Sequence, residues 1–117
     1  MAGCGSLIIP QASGLVLCIV TGTIATSATT DGAKAAIAWA AGTVAPTNGA
    51  AAAGTIAGPT VQWASLVTSE LSQPVAMHQT VSNLTLGTSY WFDLQFAAVT
   101  AGTATLTNVA VTLIEVG

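Results

Sequence analysis

Ser89-Tyr90-Trp91-Phe92-Asp93-Leu94-Gln95-Phe96-Ala97-Ala98-Val99 carries the clearest strand signal in the chain. Aromatic and branched side chains suit a pleated backbone, and successive side chains of a strand point to opposite faces. Tyr90, Phe92, Leu94 and Phe96 therefore share one face, while Trp91, Asp93, Gln95 and Ala97 share the other. The first set is the expected core face of a sheet.

Working outward, Gly, Pro and Asn breaks divide the rest into similar runs. After the turn at Ala101-Gly102 comes a last strand, 103–116, in which Val109, Val111 and Leu113 alternate with Ala110, Thr112 and Ile114. Neither face is charged before Glu115. Such a strand reads as covered on both faces, and in so small a chain the second cover is expected to come from another subunit. Val109, Val111, Leu113 and the outward Trp91 are therefore the candidate oligomer interface. Upstream, 75–81 reads as a strand before a turn at 83–87, and 54–57 and 61–68 read as two strands broken at Gly58-Pro59. The alanine-rich 33–41 has helical propensity, but it is short, ends at Gly42-Thr43 and carries Ile37 and Trp39 at strand spacing. It reads as a strand entered from the turn Thr29-Thr30-Asp31-Gly32 and left through a loop over 42–53. A long β-branched strand, 14–27, and a short one, 6–9, stopped by Pro10, complete the set. Seven to eight strands, no helix and no internal repeat predict an all-β, antiparallel sandwich, jelly roll or barrel. At 117 residues one domain is expected, with 1–13 as a short N-terminal arm holding the first strand and 14–117 as the body.

Charge is scarce. Asp31, Lys34, Glu70, Asp93 and Glu115 are the only formally charged side chains, 4% of the chain, against roughly 25% in an ordinary domain. Little charge opposes association, so much of the surface is expected to lie against neighbours. Nucleic acid is not expected as a partner, because phosphate binding takes several Lys or Arg and Lys34 stands alone. A membrane is not expected either. The longest apolar run, Leu15-Val16-Leu17-Cys18-Ile19-Val20, is far short of the ~20 residues of a spanning helix. The start has no basic region ahead of an apolar one, which predicts synthesis in the cytoplasm.

Catalytic chemistry finds little to build on. His78 is the single histidine, and no G-x-S-x-G elbow or G-x-x-x-x-G-K loop is present. Asp93, mid-strand among aromatics, is the acid of most interest and reads as the acceptor of a backbone or hydroxyl partner, or as an intersubunit contact. Cys4 and Cys18 match no metal spacing and read as two thiols, with a disulfide left open. Asn83-Leu84-Thr85 is formally a glycosylation sequon and reads as a turn. Trp39, Trp63 and Trp91 read as core or interface anchors, with a sugar-binding surface as the alternative. No enzyme activity and no cofactor are expected.

The run Val81-Ser82-Asn83-Leu84-Thr85-Leu86-Gly87-Thr88-Ser89-Tyr90-Trp91-Phe92-Asp93-Leu94, the stretch 103–115 with its Asn108-Val109 pair, and Ala45-Pro46-Thr47-Asn48-Gly49-Ala50 before Gly54-Thr55 resemble the small jelly-roll proteins of tailed-phage virions, similar in shape to trimeric TNF- and C1q-like heads. The resemblance spans about 14–116 and implies a homotrimer on a virion, as a capsid decoration (cement) protein or the head of a tail or fibre protein. With no heptad or Gly-X-Y shaft in the sequence, the decoration role is the expectation: a trimer on the outer capsid surface that bridges major capsid proteins. A tail or fibre head that binds a host receptor or glycan is the alternative. Segment 1–11, with the apolar Leu7, Ile8 and Ile9 before Pro10, is the expected capsid contact, since an apolar edge strand is a template for pairing.

Overall fold

The computed structural model describes residues 1–26, 32–64, 73–99 and 102–117. Asp31, Glu70, the end of the predicted 61–68 strand and Ala101 lie outside the described residues. Seven strands form among the described residues: β1 (Ser6–Ile8), β2 (Val16–Thr26), β3 (Gly32–Ala41), β4 (Thr55–Ala64), β5 (Gln73–Val81), β6 (Tyr90–Ala98) and β7 (Ala104–Glu115). They build two antiparallel sheets, ordered β1-β6-β3-β4 and β5-β2-β7. The protein is thus the all-β antiparallel sandwich read from its strand spacing, and no helix occurs among the described residues. Early strands pair with late ones in both sheets, β1 and β3 with β6, and β2 with β7, as in a jelly roll. β3 and β4 are neighbours within one sheet, which leaves four strands against three.

The core lies between the sheets, and β6 supplies its centre as expected. Tyr90, Phe92 and Leu94 are buried, and Phe96 packs against them half-buried. The opposite sheet contributes Val16, Cys18, Val20 and Ile24 from β2, with Val75 and Met77 from β5. Trp39 stacks on Phe92 with ring centroids 6.2 Å apart. The buried Tyr90 hydroxyl accepts the Thr85 N–H at 2.9 Å, tying the 83–87 turn to the sandwich. β3 is buried on both faces: Ala35 and Ile37 inward, Ala36 and Ala38 outward. Its alanines are the thin middle of three layers.

Two irregularities set the faces. In β4, Gly58-Pro59-Thr60 bulge out opposite Ala36, between the pairs Ala35↔Val61 and Ile37↔Ala57. The chain stays in the sheet on both sides, so the two strands expected around Gly58-Pro59 are one bulged edge strand. Proline is tolerated there because an edge strand has one side without ladder bonds. In β7, Asn108 takes a positive φ of 53°, and the β2 register slips between Thr21↔Ala110 and Thr23↔Thr107. The bulge changes which parity points inward: Ala104 and Leu106 before it, Val109, Val111 and Leu113 after it.

Candidate assembly surfaces

The outer face of the β1-β6-β3-β4 sheet is covered by the chain itself. Residues 1–5 lie along β6, where the Ala2 N–H donates to the Leu94 carbonyl at 2.8 Å. The Met1 amino group donates to the Ala50 carbonyl at 2.9 Å, and the Gly49 N–H returns a bond to the Met1 carbonyl at 3.1 Å. Gly3, with φ +75°, passes so close to Asn48 that a Cβ would lie 2.2 Å from its backbone nitrogen. Under this cover sit Trp91, Ala38 and Met1, forming a second small apolar cluster with Ala40, Ala45 and Ala50 at its rim. Gly54 lets the 42–54 loop close onto the ring, since a Cβ there would come within 2.7 Å of the Trp91 Cη2.

Asp93 lies under the same cover, fully buried. Its carboxylate accepts from the Gly3 N–H at 3.0 Å, from the Cys4 thiol at 3.3 Å and from its neighbour Leu94 N–H at 2.7 Å. A buried carboxylate is tolerable when donors surround it, and here the N-terminal segment supplies two of the three. Burial, the hydrogen bond to Asp93 and its charge push the Cys4 thiol up to about 12. Burial does the same to Cys18, also to about 12. Both cysteines are free thiols, held in the form that is a poor nucleophile.

Glu115 closes the end of the sandwich. Its carboxylate accepts the N–H groups of Gln11, Ala12, Ser13 and Gly14 at 2.9–3.1 Å. These bonds, that from Gln11 foremost, lower its pKa to about 2. Consecutive N–H groups turned toward one point form an anion-binding nest, and here the chain fills its own nest. The Ser13 hydroxyl donates to the Val116 carbonyl, and the Val116 N–H to the Leu15 carbonyl at 2.8 Å.

The candidate residues are therefore used differently from one another. Trp91, one of the candidate interface residues, is buried in the single chain's own second cluster. Val109, Val111 and Leu113 face inward, half-buried against the core, and the exposed side of β7 carries Ala110, Thr112 and Ile114. Where two covered faces are expected, the inner face is met by the core and the outer face is not covered by the described residues. Of the expected capsid contacts, Ile8 packs on the core, whereas Leu7 and Ile9 are exposed. Segment 1–13, read as a short arm holding the first strand, contains β1, which pairs with β6, and its Pro10 is buried. Trp39 and Trp63 are half-buried against the core, and Trp91 is buried.

A groove of about 290 Å³ opens on the covered side, beside the β4 bulge. Ala36 and Ala97 floor it, and Lys34, Thr60 and Gln95 line it. His78 stands exposed on β5, opposite Ile19 of β2. No group of three His, Cys, Asp or Glu side chains comes together among the described residues. Compared with protein families, with curated proteins and with solved structures, the chain matches none.

The clasp at Glu115 and the strap over Asp93 escape a reading by local pattern. Each joins residues about a hundred positions apart, and the only local signals are an acid near the last strand's end and an acid in the middle of an aromatic strand.

Proposed function

We propose that this chain is a decoration (cement) protein of a tailed-phage capsid, a homotrimer that binds the outside of the shell and acts by contact, with no catalytic turnover. The observation that carries this reading is the character of the exposed strand surface. Solvent-facing positions of β5 and β7 are Ala, Thr, Asn, Pro, His and Ile where an ordinary domain places Lys and Glu. Such a surface suits broad apolar and main-chain contact. The likeness of 81–94 and 103–115 to small virion proteins supports the same reading.

The shell contact is assigned to the β1 edge. Leu7 and Ile9 stand exposed there on a segment fixed by its own hydrogen bonds, so little ordering entropy is lost on docking. Each trimer bridges neighbouring major capsid proteins. A ligand that binds the assembled shell and not its free subunits stabilises the shell by mass action. The fibre-head alternative draws little support from the tryptophans: Trp91 is buried, and Trp39 and Trp63 are half-buried against the core.

The test is location. Electron microscopy of intact particles carrying a labelled copy of the chain is expected to place the label over the shell, in a three-fold pattern. Label confined to the tail, or absent from the particle, overturns the reading.

A further inference from the structure

The two outer faces of the sandwich are treated unequally. Over the four-stranded sheet the chain lays its own residues 1–5 and the 42–54 loop, so that even Trp91, Ala36 and Ala38 are buried. Among the described residues, nothing comparable lies over the three-stranded sheet β5-β2-β7. The outward positions of both flanking strands are exposed in alternation. The register places Leu17 of β2 between Thr80 and Ile114, and Ile19 between His78 and Thr112. These are two cross-strand rows with a branched apolar residue at the centre of each. Toward the other end the rows shrink to Ala76, Thr21 and Ala110.

We infer that this face is where copies of the chain pack on one another, the β7 half of one face meeting the β5 half of the next. The inference rests on the chain being an assembly subunit, and it names the surface the subunits share. Charge selects the occupant. The outward positions of β5, β2 and β7 bear no Lys, Arg, Asp or Glu. An ordinary protein surface, about a quarter charged, would have to bury charges there without partners, which is strongly unfavourable. A second copy of the same face brings none. Ala and Thr side chains are short enough for sheets to approach at the ~10 Å of face-to-face packing, and threonine hydroxyls can pair across strands. A head-to-tail contact of unlike halves also closes into a ring when the rotation permits, which a homotrimer requires.

The test uses the full chain in light scattering coupled to size exclusion. Wild type is expected at about three times the 11.5 kDa chain mass. Thr112→Lys, at an exposed position outside the core, is expected to run as a monomer at the same concentration, with unchanged circular dichroism and a melting temperature that no longer rises with protein concentration. Ile19→Lys is expected to do the same. Gln62→Lys, exposed on β4 of the other sheet, is expected to remain a trimer. A trimeric Thr112→Lys, or a monomeric wild type, overturns the inference. Co-sedimentation with particles separates it from the functional reading. A wild-type monomer that still binds particles fells this inference, and the trimer with it, but leaves capsid binding standing; a wild-type trimer that dissociates in Thr112→Lys but never binds particles fells the capsid reading alone. If Thr112→Lys stays trimeric but loses the particle, the face belongs to the shell and the inference is wrong.

Discussion

Glu115 concentrates four backbone donors on one side chain, and the consequence is an acid sensitivity with a definite sign. Its pKa in the folded chain is about 2, below the ordinary 4.5. The folded state therefore binds this proton less readily than the unfolded chain does. Its contribution is complete above the ordinary range and is lost as the pH falls from about 4.5 toward about 2. Urea midpoints measured across that window are expected to fall in wild type and to fall less in Glu115→Gln, the two curves converging at the acid end. Equal slopes would remove the clasp from the account. Asp93 makes a second prediction at this scale. Asp93→Ala leaves the Gly3 and Leu94 N–H groups under cover without their acceptor. A buried donor without a partner costs about 1–3 kcal/mol, and urea denaturation is expected to show a loss of at least that size.

At the scale of elements, the strands were legible wherever two-residue periodicity ran unbroken. β6 shows its inner and outer faces in its sequence, and β5 alternates cleanly. The reading failed where a bulge changes the parity. Asn108 at positive φ shifts β7 by one residue, and nothing in the alternation of 109–114 shows which of its two faces turns inward. Gly58-Pro59 looks like a break because proline normally ends a ladder, yet on an edge strand it only bulges. The N-terminal segment misled for another reason: its partners Leu94, Asp93 and Ala50 are distant in sequence. Two outcomes follow. Leu113→Glu puts a carboxylate against the chain's own core, so it is expected to destabilise the fold by about 2–4 kcal/mol, visible as a lowered melting temperature and not as simple dissociation. Deleting residues 1–8 removes β1, the cover of Trp91 and two donors to Asp93. It is expected to cost at least about 3 kcal/mol in urea denaturation. A truncated chain as stable as wild type would show that the segment adds nothing to the stability of the fold.

Over the whole molecule the governing fact is the shortage of charge: one basic side chain and four acids in 117 residues. Lys34 lies in the groove on the covered side, away from the open β5-β2-β7 face. Few ion pairs can therefore form across any contact the molecule makes. Salt screens exposed charges over a Debye length of about 8 Å at physiological ionic strength, whereas apolar burial is much less sensitive and is strengthened by salting-out ions. The measurement that meets the central claim most directly is a binding isotherm on capsids prepared without this chain, taken at several sodium chloride concentrations. The account predicts saturable binding whose affinity stays within about threefold between roughly 0.05 M and 0.5 M, a change under about 0.7 kcal/mol. No binding to the shell, or a fall of about a hundredfold or more across that range, would contradict it.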